Sequence, residues 1–143
     1  MKLTATILLF LISIFNISAQ DWVYDFEEAK SLAAHTDKKI ILVFSGSDWC
    51  APCIKLNHQV FKTEMFKNYA KEHFIMLKAD FPRRKANQLP EAQKNHNAEL
   101  FEKYNKMGYF PLVVVLTKKG RAIGELSFRN ETPEQYIYRI NSF

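Results

Sequence analysis

Cysteine is scarce in this sequence, with one pair at Cys50 and Cys53. A four-cysteine zinc site and a multi-disulfide scaffold are both excluded, so any sulfur chemistry must use that pair. Glycine and proline are few, four and five in number, which excludes collagen-like and low-complexity chains. A strong charge of either sign is also missing. Twenty Lys and Arg stand against fifteen Asp and Glu, a mildly basic balance that by itself points to neither nucleic acid nor a disordered tail. What the chain does have is 48% hydrophobic and 14% aromatic residues among 143. That fills one core and rules out a second domain of any substance.

The N-terminus carries the longest apolar stretch. After Met1-Lys2, residues Leu3 to Ile17 are apolar apart from Thr4, Thr6, Ser13 and Asn16, and Ile17-Ser18-Ala19 precedes Gln20. This reads as a secretory signal peptide over 1–19, cleaved near Ala19. About 15 residues fall short of the roughly 20 needed to cross a bilayer. No cysteine lies near the cleavage point, which argues against a lipid anchor. The expectation is a single domain over 20–143, periplasmic or secreted and not stably inserted in a membrane. In such compartments thiols oxidise unless something keeps them reduced.

Periodicity divides the rest. Glu27 to Thr36 reads as a helix, with Phe26, Ala29, Leu32 and Ala33 at helical spacing. Ile40-Ile41-Leu42-Val43-Phe44 is the continuous β-branched and aromatic run of a strand buried on both faces. From Pro52 onward, Cys53, Leu56, Val60 and Phe61 fall at i, i+3, i+7 and i+8 and describe one helix whose apolar stripe includes the second cysteine. A helix over about Thr63 to His73, a strand over Phe74–Asp80 and a helix from Pro90 to about Lys106 follow. Leu112 to Leu116 is another buried strand, Lys118-Lys119-Gly120 turns the chain, Arg121 to Phe128 forms a hairpin partner, and Pro133 opens a closing helix. The order predicts an α/β fold: a mixed sheet of about four to five strands with helices on both faces.

Cys50-Ala51-Pro52-Cys53 sits where a buried strand gives way to a helix. Residues three apart in a first helical turn have Cα atoms about 5 Å apart, inside the disulfide window. The pair can therefore open and close without refolding the domain. Unsatisfied N–H groups at the helix start favour a thiolate on Cys50, the expected nucleophile. Cys53, one turn in, is expected to be shielded and to resolve the mixed disulfide. Pro52 costs no hydrogen bond in the first turn and stiffens the loop. A purely structural bridge would close too short a loop to constrain the unfolded chain much.

The run Ile41-Leu42-Val43-Phe44-Ser45-Gly46-Ser47-Asp48-Trp49-Cys50-Ala51-Pro52-Cys53, together with Tyr109-Phe110-Pro111 before an apolar strand, resembles the thioredoxin family. It is most similar to the exported subgroup that includes periplasmic disulfide-reductase domains. The resemblance implies a thioredoxin fold and thiol–disulfide oxidoreductase activity, with Cys50 attacking and Cys53 resolving. It also implies that Pro111 is the family's cis-proline facing the cysteines, that the backbone of Phe110 pairs with an extended substrate segment, and that the proline helps keep metal off the sulfurs. Trp49 is expected both at the core edge and in the substrate platform. Two positions depart from the family pattern. Phe44 stands where a buried Asp is common and Met76 where its buried Lys partner is counted, so the usual proton acceptor for Cys53 is expected to be missing. Joint loss of a buried pair is tolerable, whereas loss of one partner strands a charge.

The dipeptide between the cysteines lacks the His of strongly oxidising members, and Asp48 is expected to oppose a Cys50 thiolate by like-charge repulsion. A reductase or isomerase of substrate-protein disulfides is therefore favoured, fed by a membrane or periplasmic thiol donor, with no cofactor. Among His35, His58, His73 and His96, His58 is expected to face away from the cysteine stripe, so no metal site is predicted. Arg83-Arg84-Lys85 reads as a solvated loop that could steer an acidic partner, not as a nucleic-acid patch. The rival reading is a binding module of the same fold, or a metallochaperone, without redox turnover.

Overall fold

The computed structural model describes residues 21–143; the predicted leader lies outside the described residues. Five strands, β1 (Trp22–Val23), β2 (Lys39–Ser45), β3 (Phe74–Asp80), β4 (Leu112–Leu116) and β5 (Ala122–Leu126), form one sheet in the order β1-β3-β2-β4-β5. β3 runs parallel to both its neighbours, β4 runs antiparallel to β2, and β5 runs antiparallel to β4. β2 is the central strand, and Ile40 to Phe44 are all buried. β-branched and aromatic side chains suit a pleated surface covered on both sides.

Helices cover both faces. On one, α1 (Phe26–Thr36) and α4 (Glu91–Tyr104) pack Ala29, Ala33, Leu100 and Tyr104 against Leu42, Phe44, Leu77 and Val114. On the other, α2 (Ala51–Leu56), α3 (Glu64–His73) and α5 (Pro133–Ile140) bury Leu56, Phe66 and Tyr136 against Ile41, Val43 and Val113. Helix starts follow from local chemistry. Asp25 accepts from the Glu28 N–H, Thr63 from Phe66, and Thr132 and Gln135 form a reciprocal capping box before Pro133; each arrangement satisfies donors that a helix start leaves open. Asn97, buried on α4, donates to the Asp80 carbonyl at 2.9 Å and so fastens α4 to the end of β3.

Two elements differ from expectation. The helix expected to run unbroken from Pro52 through Phe61 is α2 followed by a π-turn over Asn57–Phe61, closed by Lys62 N–H to Asn57 O at 2.9 Å. The wider turn still buries Val60 and Phe61, so the apolar stripe survives a change of helical phase. β1 is an addition. Two residues cannot display a period, and Trp22 and Val23 become a strand only by pairing with Met76 and Leu77.

Tyr136 is wholly buried, and its hydroxyl finds no hydrogen-bond partner among the described residues; burial pushes the phenol well above its ordinary range. The ring meets Phe61 and Phe128 edge-on. Tyr136→Phe should therefore leave stability unchanged or raise it by about 1 kcal/mol, since it removes an unpaired polar atom. Tyr136→Ala should cost roughly 3–5 kcal/mol. Denaturant unfolding of both variants checks this, and a clear loss in the Phe variant would mean that the hydroxyl has a partner.

Candidate functional site

The sheet topology gathers three chain segments at one edge. Ser45, the last residue of β2, is level with Asp80, the last of β3, and Phe44 is level with Leu112, the first of antiparallel β4. The cysteine loop, the segment 81–88 and the Phe110-Pro111 turn therefore emerge together. The Phe110–Pro111 peptide is cis.

Beyond Ser45 the chain turns sharply, with the Gly46 carbonyl accepting from the N–H groups of Trp49 at 3.3 Å and Cys50 at 2.9 Å. Any Cβ at Gly46 would collide with the Trp49 indole, so the close approach needs glycine. Cys50 is the N-cap of α2, with its sulfur accepting the Cys53 N–H at 3.3 Å. The two cysteines form a disulfide with Cα atoms 5.2 Å apart. Pro52 sits exposed in the first turn.

Cys53 is shielded, and Cys50 equally so, each being only 4% exposed. The difference between them is electrostatic: Cys50 receives the helix N–H, while Cys53 lines a cleft with Val43, Ser45, Phe61, Lys78 and Pro111. Lys78 is the functional candidate that sequence reasoning missed. Phe44 and Met76 are both core residues, as expected of apolar replacements, but they lie on opposite faces of the sheet. Strand alternation puts Lys78 on the Met76 face, the face that carries Cys53, so the amine is not lost with Met76. Burial lowers its pKa, and Lys62 lowers it further against the opposing pull of Asp80. The signal was a lysine in period with Phe74 and Met76 on a strand covered from both sides. His58, expected to face away from the cysteine stripe, lies at the rim of this same cleft. The π-turn resets the helical phase after Leu56. Among the described residues, no group of three or more His, Cys, Asp or Glu side chains is close enough to hold a metal ion.

Trp49 is fixed from several directions. Its indole N–H donates to the Phe81 carbonyl at 2.7 Å, its ring meets Phe110 edge-on at 5.4 Å between centroids, and the Arg83 guanidinium carbon lies 3.7 Å from the ring centroid. Phe110 itself stacks on Phe101. Asp48 does something other than confront Cys50. Its carboxylate accepts from the N–H groups of Arg83 and Arg84, both at 2.9 Å, and from the Asn87 side chain at 3.0 Å. The Arg83 backbone donor above all holds the Asp48 carboxyl below its ordinary range, with Asn87 and Arg84 adding to the effect. The like-charge repulsion expected against Cys50 is thereby answered by donors on the neighbouring loop. Asp80 completes the seam by accepting from Ser47 through both N–H and hydroxyl.

A depressed carboxylate contributes stability above its ordinary value of 3.8 and loses that contribution as pH falls through the lowered folded-state value. Asp48→Ala should therefore speed amide exchange at Arg83 and Arg84 at neutral pH while the β2 amides stay protected. In the unaltered protein the segment should loosen only on acidification below pH 3.8. Residue-resolved hydrogen exchange, with a pH titration followed by NMR, checks both.

Comparison with known proteins agrees with this architecture. A family model described as thioredoxin-like matches residues 21–118. Disulfide bond reductase DsbH of Chlamydia pneumoniae is 33% identical over 117 residues, which span 82% of this chain and 69% of that protein. A solved DsbH oxidoreductase structure superimposes with a TM-score of 0.79 at 32% identity, over 92% of this chain and 90% of that one. A thioredoxin from Thermus thermophilus shares the fold at 19% identity, with a TM-score of 0.63 over 88% of this chain and 87% of its own. The chain belongs to the thioredoxin-like family.

Proposed function

We propose that this protein is a thiol–disulfide oxidoreductase that reduces disulfides in other proteins outside the inner membrane. The observation that carries the reading is the seat of Cys50: a thiol at a helix N-cap, accepting a backbone N–H, three residues before its disulfide partner. Donors aimed at sulfur favour thiolate, which is the reactive form. In the reduced protein the Cys50 thiolate attacks a substrate disulfide. A Cys50–substrate bond forms, and the displaced substrate sulfur leaves as thiolate and takes a proton. Cys53 then loses its proton and attacks the Cys50 sulfur, releasing the second substrate thiol and leaving Cys50–Cys53 oxidised. Two electrons from a dithiol donor, in the membrane or the same compartment, restore the starting state.

Lys78 brings a cation to the cleft that Cys53 lines. Its positive charge favours the Cys53 thiolate over the thiol as the Cys53 proton leaves to water. Trp49, Pro52, Phe110 and Pro111 form the surface that a substrate segment meets. The reductive direction is supported by the Ala51-Pro52 dipeptide, which carries no cation, and by the relative named a disulfide bond reductase. A leader over 1–19 and a single domain over 20–143 fit export. Among the described residues no helix is long and apolar enough to cross a membrane.

The test is the reduction potential of the purified domain in glutathione buffers. A reductase should lie near or below about −270 mV, and a value near about −120 mV would make it an oxidant. Cys53→Ser should accumulate mixed disulfides with substrate proteins, and Cys50→Ser should form none. Lys78→Met should slow release of the mixed disulfide at pH 7 by about tenfold, the equivalent of one pKa unit on Cys53. That deficit should shrink as pH rises, a dependence that a merely structural defect would not produce.

A further inference from the structure

The segment 81–88 is a built device. Asp48 grips its backbone at Arg83 and Arg84, the Phe81 carbonyl takes the Trp49 indole N–H, the Phe81 N–H returns to Ser45 O at 2.9 Å, and Gln88 closes the loop onto Pro82 and Arg84 carbonyls. So many fixed points place one side chain with little freedom: the Arg83 guanidinium, its carbon 3.7 Å from the ring centroid of Trp49, the residue that precedes Cys50. A guanidinium stacked on an aromatic face keeps its N–H fork in its own plane, free for a further partner. Among the described residues no carboxylate forms an ion pair with Arg83. The two acidic groups of this edge, Asp48 and Asp80, are occupied with N–H and hydroxyl donors. An oriented, unpaired cation therefore stands on the ring of the residue that precedes the reacting cysteine.

We propose that Arg83 is a specificity-determining residue, its guanidinium donating to the carboxylate of an Asp or Glu that flanks the disulfide-bonded cysteine of a substrate protein. The planar fork matches a carboxylate with two parallel hydrogen bonds, which a lysine would not. Arg84 and Lys85, exposed beside it, add to the same field. The contact forms as substrate docks and so acts on kcat/KM through encounter and orientation. It rests on the disulfide-reductase reading above, and the experiment separates the two.

Three peptides that differ only beside an intrachain disulfide, carrying Glu, Gln or Lys there, are reduced by the fully reduced protein, and kcat/KM is measured for each. The expected order is Glu, then Gln, then Lys, with about a tenfold advantage of Glu over Gln for one charge-assisted contact at a partly exposed site. The advantage should shrink as salt rises. Arg83→Gln should bring the Glu to Gln ratio close to one, and Arg83→Glu should turn the preference towards Lys. A ratio, unlike a rate, is not lowered by partial misfolding or by a change of potential. Equal reduction of all three peptides by the unaltered protein overturns this inference and leaves the reductase reading standing. A preference that survives Arg83→Gln but disappears in Arg84→Gln overturns the assignment to Arg83. Failure to reduce any peptide removes both readings.

Discussion

Everything at the reactive edge depends on β2 being hydrogen-bonded on both sides. Its seven residues are level with the seven of β3 in parallel, and Ile40 to Phe44 are level with Leu116 to Leu112 in reverse. Parallel pairing brings the C-terminal ends of β2 and β3 to the same edge, and antiparallel pairing brings the start of β4 there too. Three segments distant in sequence thus meet at Ser45, Asp80 and Leu112. A slip of one residue would turn Val43 and Phe44 to the wrong cores. The same slip would separate Ser47 from Asp80 and Cys53 from Pro111. Register, fixed by burial on two faces, positions the chemistry.

The edge is then sewn by a few polar contacts. Asp48 and Asp80 lie on opposite sides of the seam, and each reaches across it to donors on the other segment. Hydrogen bonds to an ionised acceptor are stronger than neutral ones. This arrangement uses two negative charges that would otherwise oppose a thiolate, and turns them into the clamps that hold Ser47 and the Arg83-Arg84 backbone. The cysteine loop contributes little rigidity of its own beyond the Gly46 turn and the first turn of α2.

Much of this could be read in the residues. The runs Ile40 to Phe44 and Leu112 to Leu116 have no polar interruption and marked two-sided strands, and Thr63 and Pro133 marked helix starts. The Trp49-Cys50-Ala51-Pro52-Cys53 junction marked the site. Illegible were features that arise only when distant segments meet. Asp48 read by its sequence distance to Cys50 looked like a repulsive charge; its partners lie at least 35 positions away in the chain. Lys78 was passed over because counting back from Asp80 reached Met76, whereas the face of a strand, not the count, decides which side chain enters the cleft. The π-turn after Leu56 preserves the apolar stripe, so no periodicity could separate it from a continuous helix.

These same long-range contacts change how the Cys50–Cys53 motif should be weighed. Judged by the intervening dipeptide alone, nothing but backbone N–H groups stabilises the Cys50 thiolate. The folded chain adds two cations from outside the motif, and they act differently. Arg83 sits at the rim in contact with water, where screening weakens its pull on sulfur but leaves it available to a docking carboxylate. Lys78 lies in the cleft lined by Cys53, where the dielectric is lower and a charge acts strongly on its neighbour. On the proposed reading the rim cation bears on which substrate arrives, and the half-buried Lys78 on how fast the captured substrate is released. Nucleophile activation is left to the N-cap itself. The three tasks are accordingly distributed over the start of α2, β3 and the loop that follows β3, which is why the order of that edge matters as much as the sulfurs it carries.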